Sequence, residues 1–261
     1  MNFIVCIKQV PGTTEVKIDP RTNTLIREGV ESIVNPFDTY AIEEGLRLKE
    51  RLGGKVTVIS MGPPQAESAL REALSMGCEE AVLLTDPAFA GSDTLATSYT
   101  LASGIKNIGE FDLIICGKQA MDGDTAQVGP GIAEKLGIPA VTYVKRIEKI
   151  EQSRITVERM MEEGYEVIEM GLPALITVVK EINEPRLPSL KGMMRARKAK
   201  IDIWNASDIS CEKSRIGQPG SPTIVNKIFT PPPRTGGEKI PGDPGEQSKK
   251  LVEKLREAKV I

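Results

Sequence analysis

The stretch GKQAMDGDTAQVG, residues 117–129, crowds two aspartates and three glycines between an apolar run and an amphipathic one. A connection that only reversed the chain would need a few turn residues. This one supplies flexible backbone, capping side chains and a helix start. Thr125 or Asp124 is placed to cap the incoming helix, leaving the N–H groups of Ala126, Gln127, Val128 and Gly129 to meet an anion. Pro130 has no N–H to lose and suits the first turn, so it keeps those amides available. A pyrophosphate fits such a cradle. Asp122 and Asp124 would repel its oxygens and suit capping or ribose hydroxyls better, and a side chain at Gly129 would intrude on the backbone's approach. The simpler alternative is a glycine-rich capped turn that only starts a helix.

Other chemistry is scarce. The 261 residues contain no histidine, which removes the commonest general base and the commonest transition-metal ligand together. Cys6, Cys78, Cys116 and Cys211 are far apart with no C-x-x-C, so neither a disulfide framework nor a thiolate metal cluster is expected. Any chemistry then falls to carboxylates, lysines or a bound cofactor. With 34 basic against 36 acidic residues, the net charge of -2 gives no general attraction to nucleic acid or membrane. No run approaches the roughly 18 apolar residues of a spanning helix. The opening NFIVCIKQV reads as a strand rather than a leader, and a cytoplasmic location is expected.

The elements that must position the 117–129 stretch are legible as alternating runs. FIVCIKQV (3–10), KVTVISMG (55–62), EAVLLTD (80–86) and FDLIICG (111–117) are short, β-branched and nearly continuously apolar, as strands buried on both faces are. Helical patterns separate them at Asp38–Leu52, Pro64–Met76 and Asp93–Ile108, with Asn35-Pro36 before the first and Gly77 as the stop of the second. The alternation predicts an α/β fold with a parallel sheet. The 117–129 stretch then follows the fourth strand, at the carboxyl edge where such sheets bind ligands. After Pro139, VTYVKRIEKI, SRITVERMMEEGYEVIEMGL and ALITVVKEI alternate polar and apolar residues and are expected as antiparallel additions to the sheet.

From Asn183 onward prolines and glycines multiply, a composition that favours extended segments over a separate core. The boundary is placed at 186: an α/β nucleotide-binding domain over 1–186, then a docking loop and C-terminal arm over 187–261. The arm is expected on another subunit, the alternative being a tail folded back on its own domain. Within it, Leu187, Leu190, Met193 and Met194 read as an exposed apolar tip of a surface loop, beside Arg195, Arg197, Lys198 and Lys200. That combination suits an acidic partner. An ordinary loop leading to a solvated basic face is the other reading.

Five blocks carry a family resemblance across nearly the whole chain: VCIKQVPGTT, VNPFDTYAIEEGLRLKE (34–50), ISMGPPQAESALREALSMG (59–77), GKQAMDGDTAQVGPGIAEKLG and INEPRLPSLKGMMRARK (182–198). In order, they resemble the beta subunit of electron-transfer flavoproteins. The resemblance implies an α/β nucleotide-binding domain whose C-terminal arm wraps the alpha subunit. It also implies one of two occupants for the same pocket, AMP or, in the flavin-bifurcating branch, a second FAD. DGDTAQVGPG is similar to the bifurcating form and departs from the DDD-x-NQTGQ pattern of the AMP form at Gly123, Ala126, Val128 and Pro130, while VPGTT leaves room for an isoalloxazine ring. FAD is therefore the favoured expectation.

Carried over by motif, the resemblance puts Cys6 under the adenine, brings Asn35, Pro36, Phe37 and Asp38 toward it, and sets Met61 at the end of the next strand. Gly117, Lys118, Gln119, Ala120, Met121, Asp122, Gly123, Asp124, Thr125, Ala126, Gln127 and Val128 wrap the ribose and phosphates, with Gly129 behind them. Leu190 matches the family's recognition leucine for a dehydrogenase, in a docking patch with Met193, Arg195 and Arg197. Neither catalytic acid–base residues nor metal ligands are implied. NADH would give hydride to the FAD. One electron would go to ferredoxin or flavodoxin and the other, through the alpha-subunit FAD, to an acyl-CoA or hydroxy-acid dehydrogenase. A nucleotide-binding sensor or structural module is the alternative of another class. A free-standing NAD dehydrogenase is disfavoured because no strand is followed by G-x-G-x-x-G.

Overall fold

The apolar runs fold as parallel strands flanked by the helices written between them. The chain runs β1 (Asn2–Cys6), β2 (Gln9–Pro11), β3 (Lys17–Asp19), β4 (Thr24–Ile26), β5 (Ser32–Val34), α1 (Pro36–Leu52), β6 (Lys55–Met61), α2 (Glu67–Met76), β7 (Glu80–Leu84), α3 (Thr94–Ile108), β8 (Leu113–Gly117) and α4 (Val128–Leu136). It continues through β9 (Ala140–Ile150), β10 (Arg154–Met160), β11 (Tyr165–Gly171), β12 (Ala174–Val178), α5 (Leu190–Lys198), β13 (Asp202–Trp204) and α6 (Pro244–Glu257). The computed structural model describes residues 1–12, 17–19, 24–26, 32–226 and 236–261, so VPGTT lies partly outside the described residues.

Nine strands form the main sheet, in the order β11-β10-β9-β12-β8-β1-β6-β7-β13. Its two faces are served by alternate residues of each strand. Phe3, Val5, Leu113 and Ile115 join Ile42 and Leu46 of α1 and Leu70 and Leu74 of α2 in one core. Ile4, Cys6, Ile114 and Cys116 join Leu101 and Ile105 of α3 and Ile132 of α4 in the other. No helix among the described residues is long and apolar enough to cross a membrane.

Three expectations need correction. The run from 3 to 10 is two strands, because only Ile7 N–H still reaches across the sheet, to Ile59 O at 2.9 Å. Lys8 N–H is taken by Asp38 Oδ2 at 2.7 Å, and Gln9–Pro11 pairs antiparallel with Ser32–Val34 outside the main sheet. The strand in ALITVVKEI is not antiparallel: β12 lies between β8 and β9, parallel to both. All five of its residues are buried, as a central strand requires, whereas β9 buries only Val141, Val144 and Ile147 and pairs antiparallel with β10. The segment read as a surface loop is helix α5, capped by Ser189 Oγ accepting from Gly192 N–H at 3.0 Å.

The first compact unit, Met1–Asn226, runs past the boundary expected at 186, because α5 packs on α2 and β13 pairs with β7. Guanidinium groups fasten α5: Arg71 Nη1 donates to Ala196 O at 2.6 Å, and Arg195 Nη2 donates to Leu74 O and Cys78 O at 2.9 and 3.0 Å. The second unit, Lys227–Ile261, contains α6, whose N-cap Asp243 accepts from the amides of Gly245 and Glu246 and none of whose residues is buried.

Candidate functional site

From β1 the chain crosses to β6 and then β7 on one side, and β8 is added on the other side of β1. The carboxyl ends of β1 and β8 therefore diverge, which is where an open α/β sheet forms its ligand crevice. A cleft of about 360 Å³ opens there. Its floor is made by Cys6 and Cys116, direct partners across the two strands, with Met61 from the end of β6. One wall is the loop from Gly117 to Gly129. The opposite wall is formed by Ser92, Asp93, Thr94 and Thr97 at the start of α3, with Leu101 one turn on.

Local contacts fix the loop before any ligand arrives. A Cβ on Gly117 would sit 2.6 Å from the backbone carbon of Phe37, so only glycine lets β8 end against the first turn of α1. Asn35, 1 % exposed, bridges the loop: its Nδ2 donates to Gln119 O at 2.8 Å and its Oδ1 accepts from Met121 N–H at 3.0 Å. Asp124 N–H donates to Ala120 O at 2.8 Å, and the Gln119 side-chain amide donates to the Asp124 carboxylate. Lys8 Nζ pairs with Asp122 at 2.6 Å.

Both aspartates are thus engaged within the protein, which corrects the expected capping roles. Helix α4 has Gln127 at its N-cap with no side-chain cap, so neither Asp124 nor Thr125 serves. Among the described residues the amides of Thr125, Ala126, Gln127, Val128 and Gly129 have no acceptor, and the next donor, Gly131 N–H, bonds Gln127 O at 2.9 Å. Asp124 and Ala126 have φ of 49° and 53°, and Gln127 returns to right-handed helical values. A left-handed residue followed by a right-handed one turns successive N–H groups toward one concave face that suits an anion. Non-glycine residues hold such conformations where the surroundings over-determine them, as in ligand clamps. Gly129 acts differently from expectation. Its missing side chain leaves room for β12, since a Cβ there would meet Thr177 Cγ2 at 2.6 Å.

Burial pushes the Asp38 carboxyl up to about 7 against the lowering pull of the Lys8 amide, the Asn35 side chain and the Gly117 backbone. It therefore changes charge near neutral pH inside the cleft wall. The Cys6 thiol, followed by burial, raises the Cys116 thiol well above its ordinary value.

Of the residues expected at the site, Cys6, Asn35, Asp38, Met61, Gly117, Lys118, Gln119, Ala120, Gly123, Thr125, Ala126, Gln127, Val128 and Gly129 line the cleft. Pro36, Phe37, Met121, Asp122 and Asp124 stand behind it; the Phe37 ring lies 5.6 Å from Lys118 Nζ. The wall from Ser92 to Leu101 was not anticipated. Its signal is the same strand, turn and capped helix: Asp93 Oδ1 accepts from Leu95 and Ala96 N–H, and Thr94 Oγ1 donates to Gln127 Oε1 at 2.9 Å. On α5, Leu190 and Met194 are 78 % and 66 % exposed, but the Arg195 guanidinium is turned onto α2 rather than outward. Arg197 makes no ion pair among the described residues and stays at the surface.

An amide cradle beside a floor of apolar and sulfur side chains fits a nucleotide phosphate and base. Comparison with known proteins identifies the family. Residues 22–209 match the electron transfer flavoprotein domain. The chain is 54% identical to the electron transfer flavoprotein subunit beta of Thermoanaerobacterium thermosaccharolyticum and 53% identical to the caffeyl-CoA reductase-Etf complex subunit CarD of Acetobacterium woodii, with all of each chain covered. It is 48% identical to protein FixA of Azotobacter vinelandii over 90% of this chain and 86% of that one. Likeness of this strength, running through the strands, the cradle and α5 alike, means that the chain belongs to the electron-transfer flavoprotein beta-subunit family.

Proposed function

We propose that this beta subunit works in the flavin-bifurcating manner, in the cytoplasm, with FAD in the cleft between β1 and β8. The observation that carries nucleotide binding is the run of amides from Thr125 to Gly129 along the cleft wall, which find no acceptor among the described residues. Those amides hold the pyrophosphate, Asn35 keeps their loop in register, and Cys6 and Met61 pack under the base. Gly123, Thr125 and Ala126 support FAD, because none of these lining residues has a side chain larger than threonine's. When bound, FAD would supply the redox chemistry, hydride acceptance from NADH and one-electron delivery to ferredoxin or flavodoxin and, through the alpha-subunit FAD, to a dehydrogenase. The protein contributes binding, orientation and exclusion of water. Leu190, Met193 and Arg197 on α5 meet an acyl-CoA or hydroxy-acid dehydrogenase, and the C-terminal arm packs on the alpha subunit. The relative CarD, whose name places it in a CoA-ester reductase complex, favours the acyl-CoA class.

AMP in the same cradle is the second reading. The cleft volume of about 360 Å³ favours it, lying near the lower end of the roughly 300–1,000 Å³ usual for ligand sites. Denaturing the purified heterodimer with its alpha subunit and identifying the released nucleotides separates the two. Two FAD per heterodimer supports bifurcation; one FAD with one AMP overturns it.

A further inference from the structure

Electron transfer as proposed uses Cys6 only as packing under the base and gives neither thiol on the cleft floor a chemical role. Cys6 and Cys116 are register partners on adjacent parallel strands. Both belong to the core beneath α3 and α4, so their side chains leave the sheet on the same side. Neighbouring strands lie about 4.8 Å apart, inside the roughly 4.4–6.8 Å over which paired cysteine Cα atoms can be joined through sulfur. Both thiols are free and both line the cleft, at 7 % and 6 % exposure. Met61 lies two residues beyond Ile59, the register partner of Cys6, and adds a thioether at the end of the third adjacent strand. Sulfur donors grouped in this way select soft, thiophilic centres over hard ones.

We propose that Cys6 and Cys116 form a dithiol site for trivalent arsenic, chelated through both sulfurs, and that arsenic held there excludes the nucleotide from the cleft floor. The exclusion clause rests on the nucleotide reading above; the dithiol site does not. With an organic arsenoxide, two As–S bonds form and two S–H bonds break, and the two protons leave with the arsenoxide oxygen as water. Arsenic stays trivalent and no oxidant is needed. The Cys6 thiol and burial keep Cys116 in its neutral form. That slows thiolate-dependent disulfide exchange but leaves the S–H groups that the condensation consumes. Once one sulfur is bound the second bond closes within the site, so the chelate outlasts any single-thiol adduct. Cys78 and Cys211 have no cysteine partner in register.

Phenylarsine oxide added to the full-length protein should attach once per chain with loss of two titratable thiols. Peptide mapping should place it on Cys6 and Cys116 together. A dithiol should remove it, and a monothiol at equal thiol concentration should not. Mapping to Cys78 or Cys211, or release by the monothiol, overturns the site. Cys6→Ser and Cys116→Ser should each abolish the monothiol-resistant adduct; mapping in the unsubstituted chain decides the matter even where a variant folds poorly. AMP at about ten times its Kd should slow the addition about tenfold by leaving roughly that fraction of clefts open. An adduct on the mapped pair that AMP does not slow leaves the dithiol site standing and removes the nucleotide from this end of the cleft. Slowing by AMP without mapping to the pair removes the dithiol site alone.

Discussion

Asn35→Ala tests whether the amide cradle is held open by one buried side chain. The substitution removes the donor to Gln119 O and the acceptor for Met121 N–H, contacts of 2.8 and 3.0 Å that join the start of α1 to the loop after β8. Leaving a buried polar group without a partner costs about 1–3 kcal/mol. Gln119 and Met121 are half-buried, so water recovers part of this, and a total of about 2–4 kcal/mol is expected. For a domain of this size that lowers the melting temperature by roughly 4–16 °C. The informative readout is a pair: the melting temperature of the heterodimer, and the nucleotide released from it on denaturation. The loop that loosens carries the phosphate amides, so nucleotide content should fall further in Asn35→Ala than in a core variant of equal stability loss, such as Ile105→Val or Ile132→Ala chosen to match. Asn35→Asp should be intermediate in the loop, keeping the acceptor for Met121, but it sets a second carboxylate beside Asp38. An Asn35→Ala protein that melts with the unsubstituted one and keeps its full nucleotide would refute the account of the loop.

Asp38 sets a pH dependence. Burial raises its pKa from 3.8 to about 7, so the folded chain keeps a proton that the unfolded chain releases between those values. Its contribution to stability is therefore greatest below about pH 4 and is lost as pH rises through about 7, by about 4 kcal/mol in all. Urea denaturation at pH 5 and pH 8 should show that part of the slope removed in Asp38→Asn; an unaltered slope excludes Asp38 as its source. At Gly129 the predicted conflict is with Thr177, so Gly129→Ala should cost about 1–3 kcal/mol as overpacking does, and Gly129→Ala with Thr177→Ser should recover most of it. The serine removes Cγ2 yet keeps the hydroxyl that accepts from Tyr143 N–H. A double variant no more stable than the single one would show that the damage lies on the ligand side. Leu190→Ala should lower affinity for the dehydrogenase at least about tenfold, from the roughly 1.5–3 kcal/mol of one buried leucine, with nucleotide content unchanged; a rate that depends on partner concentration as before assigns Leu190 to plain surface.

Apart from the run 3–10, which breaks after Cys6, the central strands and helices of the first half were legible because each run matched one period and carried its own stop, as Gly77 does after α2. Strand order was less so. ALITV is apolar but for Thr177, which marks a central strand, but chain order alone placed it beside alternating neighbours and suggested an outer, antiparallel position. The docking segment misled through Pro185, Pro188 and Gly192, though Ser189 three residues before Gly192 was a readable cap. At the site, residue types pointed to the cradle, yet the partners of the aspartates were invisible: Asp122 finds Lys8, far away in sequence. Asn35 was expected near the nucleotide, and its bridge to Gln119 and Met121 depends on β1 and β8 being neighbours, a tertiary fact.

The guanidinium contacts that mount α5 on α2 all end on main-chain carbonyls, those of Ala196, Leu74 and Cys78. Such acceptors are present whatever side chains the helices carry. The mounting is thereby separable from the outward face, where Leu190 and Met194 stand exposed. Changing those outward residues alters what the helix meets without loosening how it is held. If α5 meets the dehydrogenase as proposed, retargeting this subunit to another one is a matter of surface substitution alone, with Arg71 and Arg195 left in place.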